Sequence, residues 1–190
     1  MIKKKIYAFI CARGGSKGIK DKNIKSFCGK PLISYSIKSA LENKLINKVI
    51  VSTDSEKIKK ISKYYGAEVP FKRPKKLASD SSKEWLVWKH LINYLKDNDD
   101  LPDIVISLPA TSPLRKDTDI NNCLKKFIKN KMSDMLITVT KPYRNPYFNM
   151  IEIKKNKFAK IVNDNISNYI SNRQDAPIVY DVATLAYVTS

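Results

Sequence analysis

Residues 10–23, ICARGGSKGIKDKN, carry Arg13, Lys17 and Lys22 among three glycines, directly after an apolar run. Glycines allow a tight turn and let backbone N–H groups approach an anion closely. Arginine and lysine add charge-assisted hydrogen bonds of the kind a polyphosphate needs. The spacing is neither that of a Walker loop nor GxGxxG, since Ser16 takes the place of the second glycine. A plain strand-to-helix turn with solvated lysines is the alternative reading of the same residues.

Three further segments of similar character follow. Ser52-Thr53-Asp54-Ser55 precedes a helical pattern, which Asp54 is expected to cap. Arg73-Pro74 leads into Leu77-Ala78-Ser79-Asp80, and Ala110-Thr111-Ser112-Pro113-Leu114-Arg115 forms a third loop. Three of only five arginines thus fall in loops, which points to anion binding rather than surface decoration.

The elements that must position these loops are read from periodicity. KIYAFICA (5–12), KVIVST (48–53), DIVISL (103–108) and DMLITVT (134–140) are apolar, strand-length runs, and 67–71 reads as a further short strand. Helical spacing is expected over 31–43, 55–65, 84–95 and near 117–129, with Pro31 in a first turn. In the third of these, Trp85 and Trp88 are read as core. Alternation of strand and helix predicts an α/β class, a doubly wound, mostly parallel Rossmann-like sheet that binds ligands at its strands' carboxyl ends. Residues 141–190 differ in texture and read as a β-hairpin excursion followed by a returning strand.

Composition narrows the function classes. The formal charge is +18, carried by 31 lysines scattered over nearly every element and only five arginines. Arginine is the residue that forks onto phosphate and guanine, so the pattern speaks against a nucleic-acid reader and for solvated surface. No apolar run reaches the ~20 residues of a membrane span, and no signal peptide is visible. Cys11, Cys28 and Cys123 are widely spaced, which disfavours zinc and disulfides and fits a cytoplasmic protein. Cys11 is expected to be a small buried hydrophobe. His90 is the only histidine and is assigned to helix packing.

CARGGSKGIKDKNI, VSTDS, YGAEV…RP…LASD, ATSPLR and RQDAPIVYD stand in the order seen in acylneuraminate cytidylyltransferases, and the chain resembles that family throughout. RNPYFNMIEI together with the RQ block looks most like the bacterial branch that activates legionaminic acid. The resemblance implies an enzyme transferring CMP from CTP to the anomeric hydroxyl of a nine-carbon nonulosonic acid, with release of pyrophosphate. It implies that Ala12, Arg13, Ser16, Lys17, Lys22, Asn23, Arg73 and Ser82 bind CTP. Arg173 and Gln174 would face the sugar, with Arg173 and Lys22 catalytic. It further implies Mg²⁺ or Mn²⁺ and a homodimer, in which 141–178 forms an insertion that completes the sugar pocket within a single domain, 1–190.

Two departures accompany the resemblance. The family's C-terminal aspartate pair, D-x-D, does not follow the last predicted strand. The expectation is therefore a chain truncated at its C-terminus, with Asp181 the remaining metal candidate. Pro109 and Ala183 stand where many members carry Gln and Asn. The rival readings are a cytidylyltransferase for the eight-carbon sugar Kdo, an inactive CTP-binding remnant, and a basic nucleic-acid-binding protein.

Overall fold

A computed structural model describes residues 4–163, 170 and 172–190. Strand β1 (Ile6–Cys11) is buried along nearly its whole length because both of its faces are covered. It continues through a 3-10 turn at Lys22–Ile24 and a small hairpin, β2 (Ser26–Phe27) and β3 (Lys30–Pro31), into helix α1 (Leu32–Leu41). β4 (Lys48–Ser52), α2 (Glu56–Tyr64), α3 (Glu84–Asp97), β5 (Ile104–Ser107) and α4 (Asp117–Lys129) follow in turn. β6 (Met135–Thr140), the hairpin β7 (Ile151–Ile153) and β8 (Ala159–Ile161), and β9 (Asp181–Thr189) complete the order.

The central sheet runs β4-β1-β5-β9-β6. β1 is parallel to β4, with Cys11 opposite Ser52, and parallel to β5, with Phe9 opposite Ser107. Their carboxyl ends therefore finish together. β9 returns antiparallel to β5, pairing Tyr187 with Ser107, so residues 184 and 185 reach that same end. The expected α/β class with a mostly parallel, doubly wound sheet is the observed one.

The period of two along the strands explains the two layers. Ile6, Ala8 and Ile10 of β1 join Val49, Val51, Ile104 and Ile106 under α1, α2 and α4. Tyr7 and Phe9 join Ile50 and Val105 beneath Leu91 and Leu95 of α3. Residues on α3 that point inward, Val87, Leu91 and Leu95, recur every fourth position. Trp85 lies off that stripe and is 53 % exposed, so its expected place in the core is corrected. Trp88 is half-buried against Tyr187.

Residues 67–71 do not form the expected strand. They make one parallel bridge, Ile50 with Glu68, because Gly66 at φ +92° turns the chain and Pro70 ends the pairing. The cap of α2 is also corrected. Ser55, not Asp54, accepts the N–H of Ile58.

The chain divides into two compact units, 1–138 with 184–190, and 139–183. The second contains the antiparallel pair β7–β8, with Ile151 opposite Ile161, and a 3-10 turn at Arg173–Asp175. The expected insertion 141–178 includes residues 164–169 and 171, which lie outside the described residues.

Candidate functional site

The loop after β1 is built by fastening its backbone rather than by packing its side chains. Ala12 is fully buried, and its N–H extends the ladder by donating to the Ser52 carbonyl at 3.0 Å. The Asn23 amide donates to the Arg13 carbonyl at 2.9 Å, and the Gly14 N–H donates to Asp54 Oδ1 at 2.9 Å. A Cβ on Gly14 would stand 3.2 Å from the Ser55 Cβ, so the loop and the start of α2 approach too closely for a larger residue without displacement. Gly15 takes φ +64°, the left-handed turn that glycine adopts without strain.

The turn opens a cleft of about 510 Å³ at the carboxyl ends of the parallel strands. Arg13, Ser16, Lys17, Lys22, Asn23, Arg73 and Ser82, all read from the sequence as nucleotide contacts, line it. Ala12, read with them, supports the cleft from beneath. Asn23 is 8 % exposed and spends its amide on the loop, so its visible part is to hold Arg13 in place.

Arg73 is 4 % exposed, and its setting is specific. Its Nε donates to Ser52 Oγ at 3.0 Å, a terminal nitrogen donates to the Ser52 carbonyl, and its backbone N–H donates to the Thr53 carbonyl at 2.8 Å. Burial lowers its pKa from the usual value. A guanidinium already desolvated and fixed loses little freedom on meeting an anion. Ser82 donates to the Lys76 carbonyl at 2.8 Å and lies 2.7 Å from Ser79 Oγ, which shapes the loop before α3.

Asp80 holds two of the cleft's cations. Its carboxylate pairs with Arg13 and, at 2.5 Å, with Lys17, and the two hold it below the usual carboxylate range, Lys17 first. Arg13 also reaches the Ala78 carbonyl at 3.4 Å. Residue reading named the LASD segment without giving Asp80 a part. The signal was an acid flanked by serines in a loop otherwise rich in lysine.

Arg115, expected with the other loop arginines to face an anion, is turned inward. It is 8 % exposed and donates to the Leu185 carbonyl at 2.8 Å, the Pro109 carbonyl at 2.9 Å and Ser36 Oγ at 3.2 Å. Its donors face neutral acceptors of the protein, and burial pushes its pKa down to about 10. Arg115 is a clamp on the loop after β5, not a ligand arginine.

Arg173 and Gln174 are exposed on the 3-10 turn of the second unit. Asp181 is exposed at the first residue of β9. Among the described residues no three His, Cys, Asp or Glu side chains converge as metal ligands. Of the carboxylates lining the cleft, Asp80 is engaged by Arg13 and Lys17, and Glu84 lies 3.4 Å from its donor Ser107 Oγ. These donors do not make a preformed metal cage.

Cys11 also lines the cleft, and burial pushes its thiol up to about 12, which makes it inert as a nucleophile. His90 packs edge-on to Phe71 with ring centroids 4.7 Å apart, and burial lowers its pKa. No helix of the described residues is long and apolar enough to cross a membrane.

Residues 7–187 match the family described as cytidylyltransferase. The chain is 40 % identical over 187 residues to post-translational flagellin modification protein B of Campylobacter coli, covering 96 % of this chain and 76 % of that protein. It is 38 % identical over 186 residues to CMP-N,N'-diacetyllegionaminic acid synthase of Campylobacter jejuni, with the same two coverages. The solved structure of CMP:2-keto-3-deoxy-manno-octonic acid synthetase complexed with CTP shares the fold. Its TM-score is 0.69 at 16 % identity, over 97 % of this chain and 73 % of that one. A match running from the first strand to the last, carried by relatives this similar over nearly the whole length, makes the chain a member of the cytidylyltransferase family and the protein a nucleotidyltransferase enzyme.

Proposed function

We propose that the protein transfers CMP from CTP to the anomeric hydroxyl of a nine-carbon nonulosonic acid, most closely of the legionaminic type, and releases pyrophosphate. The observation that carries the reading is the cleft lined together by Arg13, Lys17, Lys22 and the preset Arg73. The names of two relatives support the acceptor class: the legionaminic acid synthase above, and a pseudaminic acid cytidylyltransferase of Campylobacter jejuni, 35 % identical over 178 residues.

In this reaction the sugar oxygen bonds to the α-phosphorus as the bond to the pyrophosphate oxygen breaks. The hydroxyl proton leaves to solvent or a nearby base. Negative charge spreads over the phosphoryl oxygens, so fixed cations and backbone N–H groups supply most of the acceleration. A single preorganised donor of this kind is worth about 3–4 kcal/mol. Arg13 and Lys17 take the departing phosphates, Lys22 closes the loop side, and Arg73 meets the nucleotide from the floor.

Arg173 and Gln174 are proposed to recognise the sugar, with the Arg173 fork on its carboxylate orienting the attacking hydroxyl. Mg²⁺ or Mn²⁺ enters the proposal as a companion of the triphosphate, where it would offset part of the phosphate charge. The second unit is proposed to build a homodimer. The reaction is proposed to run in the cytoplasm, where CTP is supplied.

The test is pyrophosphate release from CTP and Mg²⁺ with legionaminic, pseudaminic and sialic acids and Kdo in parallel. Release with a nine-carbon acid is expected. Release with Kdo alone would move the enzyme to the eight-carbon branch. CTP binding without release would make the chain a nucleotide-binding remnant.

A further inference from the structure

Asp80 sits where the function would put a phosphate. Its side chain is 45 % exposed, while the Lys17 side chain that meets it is 80 % exposed. Arg13, its other partner, has one terminal nitrogen on Asp80 and the other directed to the Ala78 carbonyl. The fork is therefore committed to the loop 78–80, and an incoming polyphosphate has to displace a carboxylate of this same chain. Exposed ion pairs are weak because water screens them and two flexible side chains must be held. A polyphosphate presents several charged oxygens at once and wins that exchange.

We propose that Asp80 is an intramolecular stand-in for phosphate: it holds Arg13 and Lys17 in position in the empty cleft, gives them up to the triphosphate, and takes them back as pyrophosphate departs. This makes Asp80 a positioning residue that weakens ground-state binding and speeds product release. The return of the carboxylate is intramolecular, so it competes with pyrophosphate at a high effective concentration. The inference rests on the reading of the cleft as a triphosphate site.

The test titrates inorganic pyrophosphate, CTP and cytidine calorimetrically into the unaltered protein, Asp80→Asn and Asp80→Glu. Asp80 is an exposed loop residue outside the core, so neither change disturbs packing. Asp80→Asn is expected to bind pyrophosphate and CTP about three- to tenfold more tightly, the effect of losing two screened ion pairs. Cytidine, which carries no phosphate, is expected to bind unchanged, and Asp80→Glu to stay within about twofold of the unaltered protein. In turnover, Asp80→Asn makes pyrophosphate a stronger product inhibitor by the same factor.

Equal or weaker pyrophosphate binding by Asp80→Asn overturns the proposal, because Asp80 would then only brace its two partners. An equal gain for cytidine overturns it too, since the change would lie in the shape of the cleft. Pyrophosphate binding without CTP binding would sink the nucleotide reading and leave the Asp80 comparison to decide its own question. Binding of neither ligand by any variant overturns both.

Discussion

Asp54 Oδ1 accepts the backbone N–H of Gly14 at 2.9 Å and so ties the anion loop to the end of β4, forty residues away in sequence. The bond uses a glycine amide that would otherwise be free to face a phosphate. Its value lies in fixing where Arg13 and Gly15 stand. Asp54→Ala leaves a half-buried N–H without its partner, which costs about 1–2 kcal/mol. The KM for CTP is expected to rise about tenfold, because a displaced loop misplaces its charges. Asp54→Asn keeps an acceptor and should recover most of both losses. Urea melts and CTP titration of the pair check this; an unchanged KM for Asp54→Ala would assign the bond to stability alone.

Arg115 gives the second prediction. Its guanidinium joins the carbonyls of Pro109 and Leu185 and the hydroxyl of Ser36, and so locks the loop after β5 to β9 and α1. Arg115→Met removes three charge-assisted donors from partly buried acceptors, of which the Pro109 carbonyl keeps the Ser36 hydroxyl at 3.0 Å, at about 3 kcal/mol. For a chain of this size the melting temperature should fall by about 6–12 °C. Arg115→Lys keeps the charge without the planar fork and should recover less than half. Thermal melts of the two variants decide it. A melting temperature within about 2 °C of the parent for Arg115→Met would show the clamp to be dispensable.

Arg115 also marks the limit of what the sequence made legible. Apolar runs such as 103–108 and the helical spacing near 117–129 reported the sheet and α4 directly, because burial on both faces of a strand or one face of a helix leaves a periodic trace. An arginine leaves none. Arg73 and Arg115 both stand in loops and both donate to backbone carbonyls, yet Arg73 still lines the cleft while Arg115 is absent from its lining. Asp54 was expected to cap α2, but Ser55 caps it and Asp54 turns to Gly14 instead, an outcome that depends on how closely two loops approach. The strand expected at 67–71 failed for a related reason: its apolar residues pack on the sheet edge through a single bridge, which needs no ladder.

At the opposite end of the sheet Asp100 collects Tyr7 Oη at 2.5 Å and the ammonium groups of Lys48 and Lys5, each at 2.6 Å. Lys48, then Lys5 and Tyr7, hold its carboxyl well below the ordinary value of 3.8. The unfolded chain binds the proton more readily than the folded one, so this contribution is full above pH ~4 and is lost as the pH falls toward the depressed folded value. Asp100→Asn should cost about 1–3 kcal/mol at pH 7. The gap between variant and parent should begin to narrow below pH ~4, as the unfolded chain takes up the proton while the folded carboxylate stays ionised. Urea melts from pH 7 to 3 measure it. A gap that stays constant over that range would mean the charge contributes nothing beyond the shape of the side chain.

The three cysteines provide a check on burial that needs no substrate. Burial pushes the Cys11 thiol up to about 12 and also raises that of Cys123, while Cys28 is exposed at the turn between β2 and β3 with φ +46°. The thiolate is the reactive form, so at pH 8 a disulfide reagent should titrate one thiol rapidly in the native protein and all three in guanidinium chloride. Cys28→Ser should abolish the rapid phase and leave CTP binding unchanged, since Cys28 is absent from the cleft lining. Rapid reaction of any thiol in Cys28→Ser would point to Cys11, because it lines the cleft while Cys123 is buried. Pyrophosphate would then be expected to protect it, and the floor of the cleft would be more open than Arg73 and its bonds to Ser52 describe.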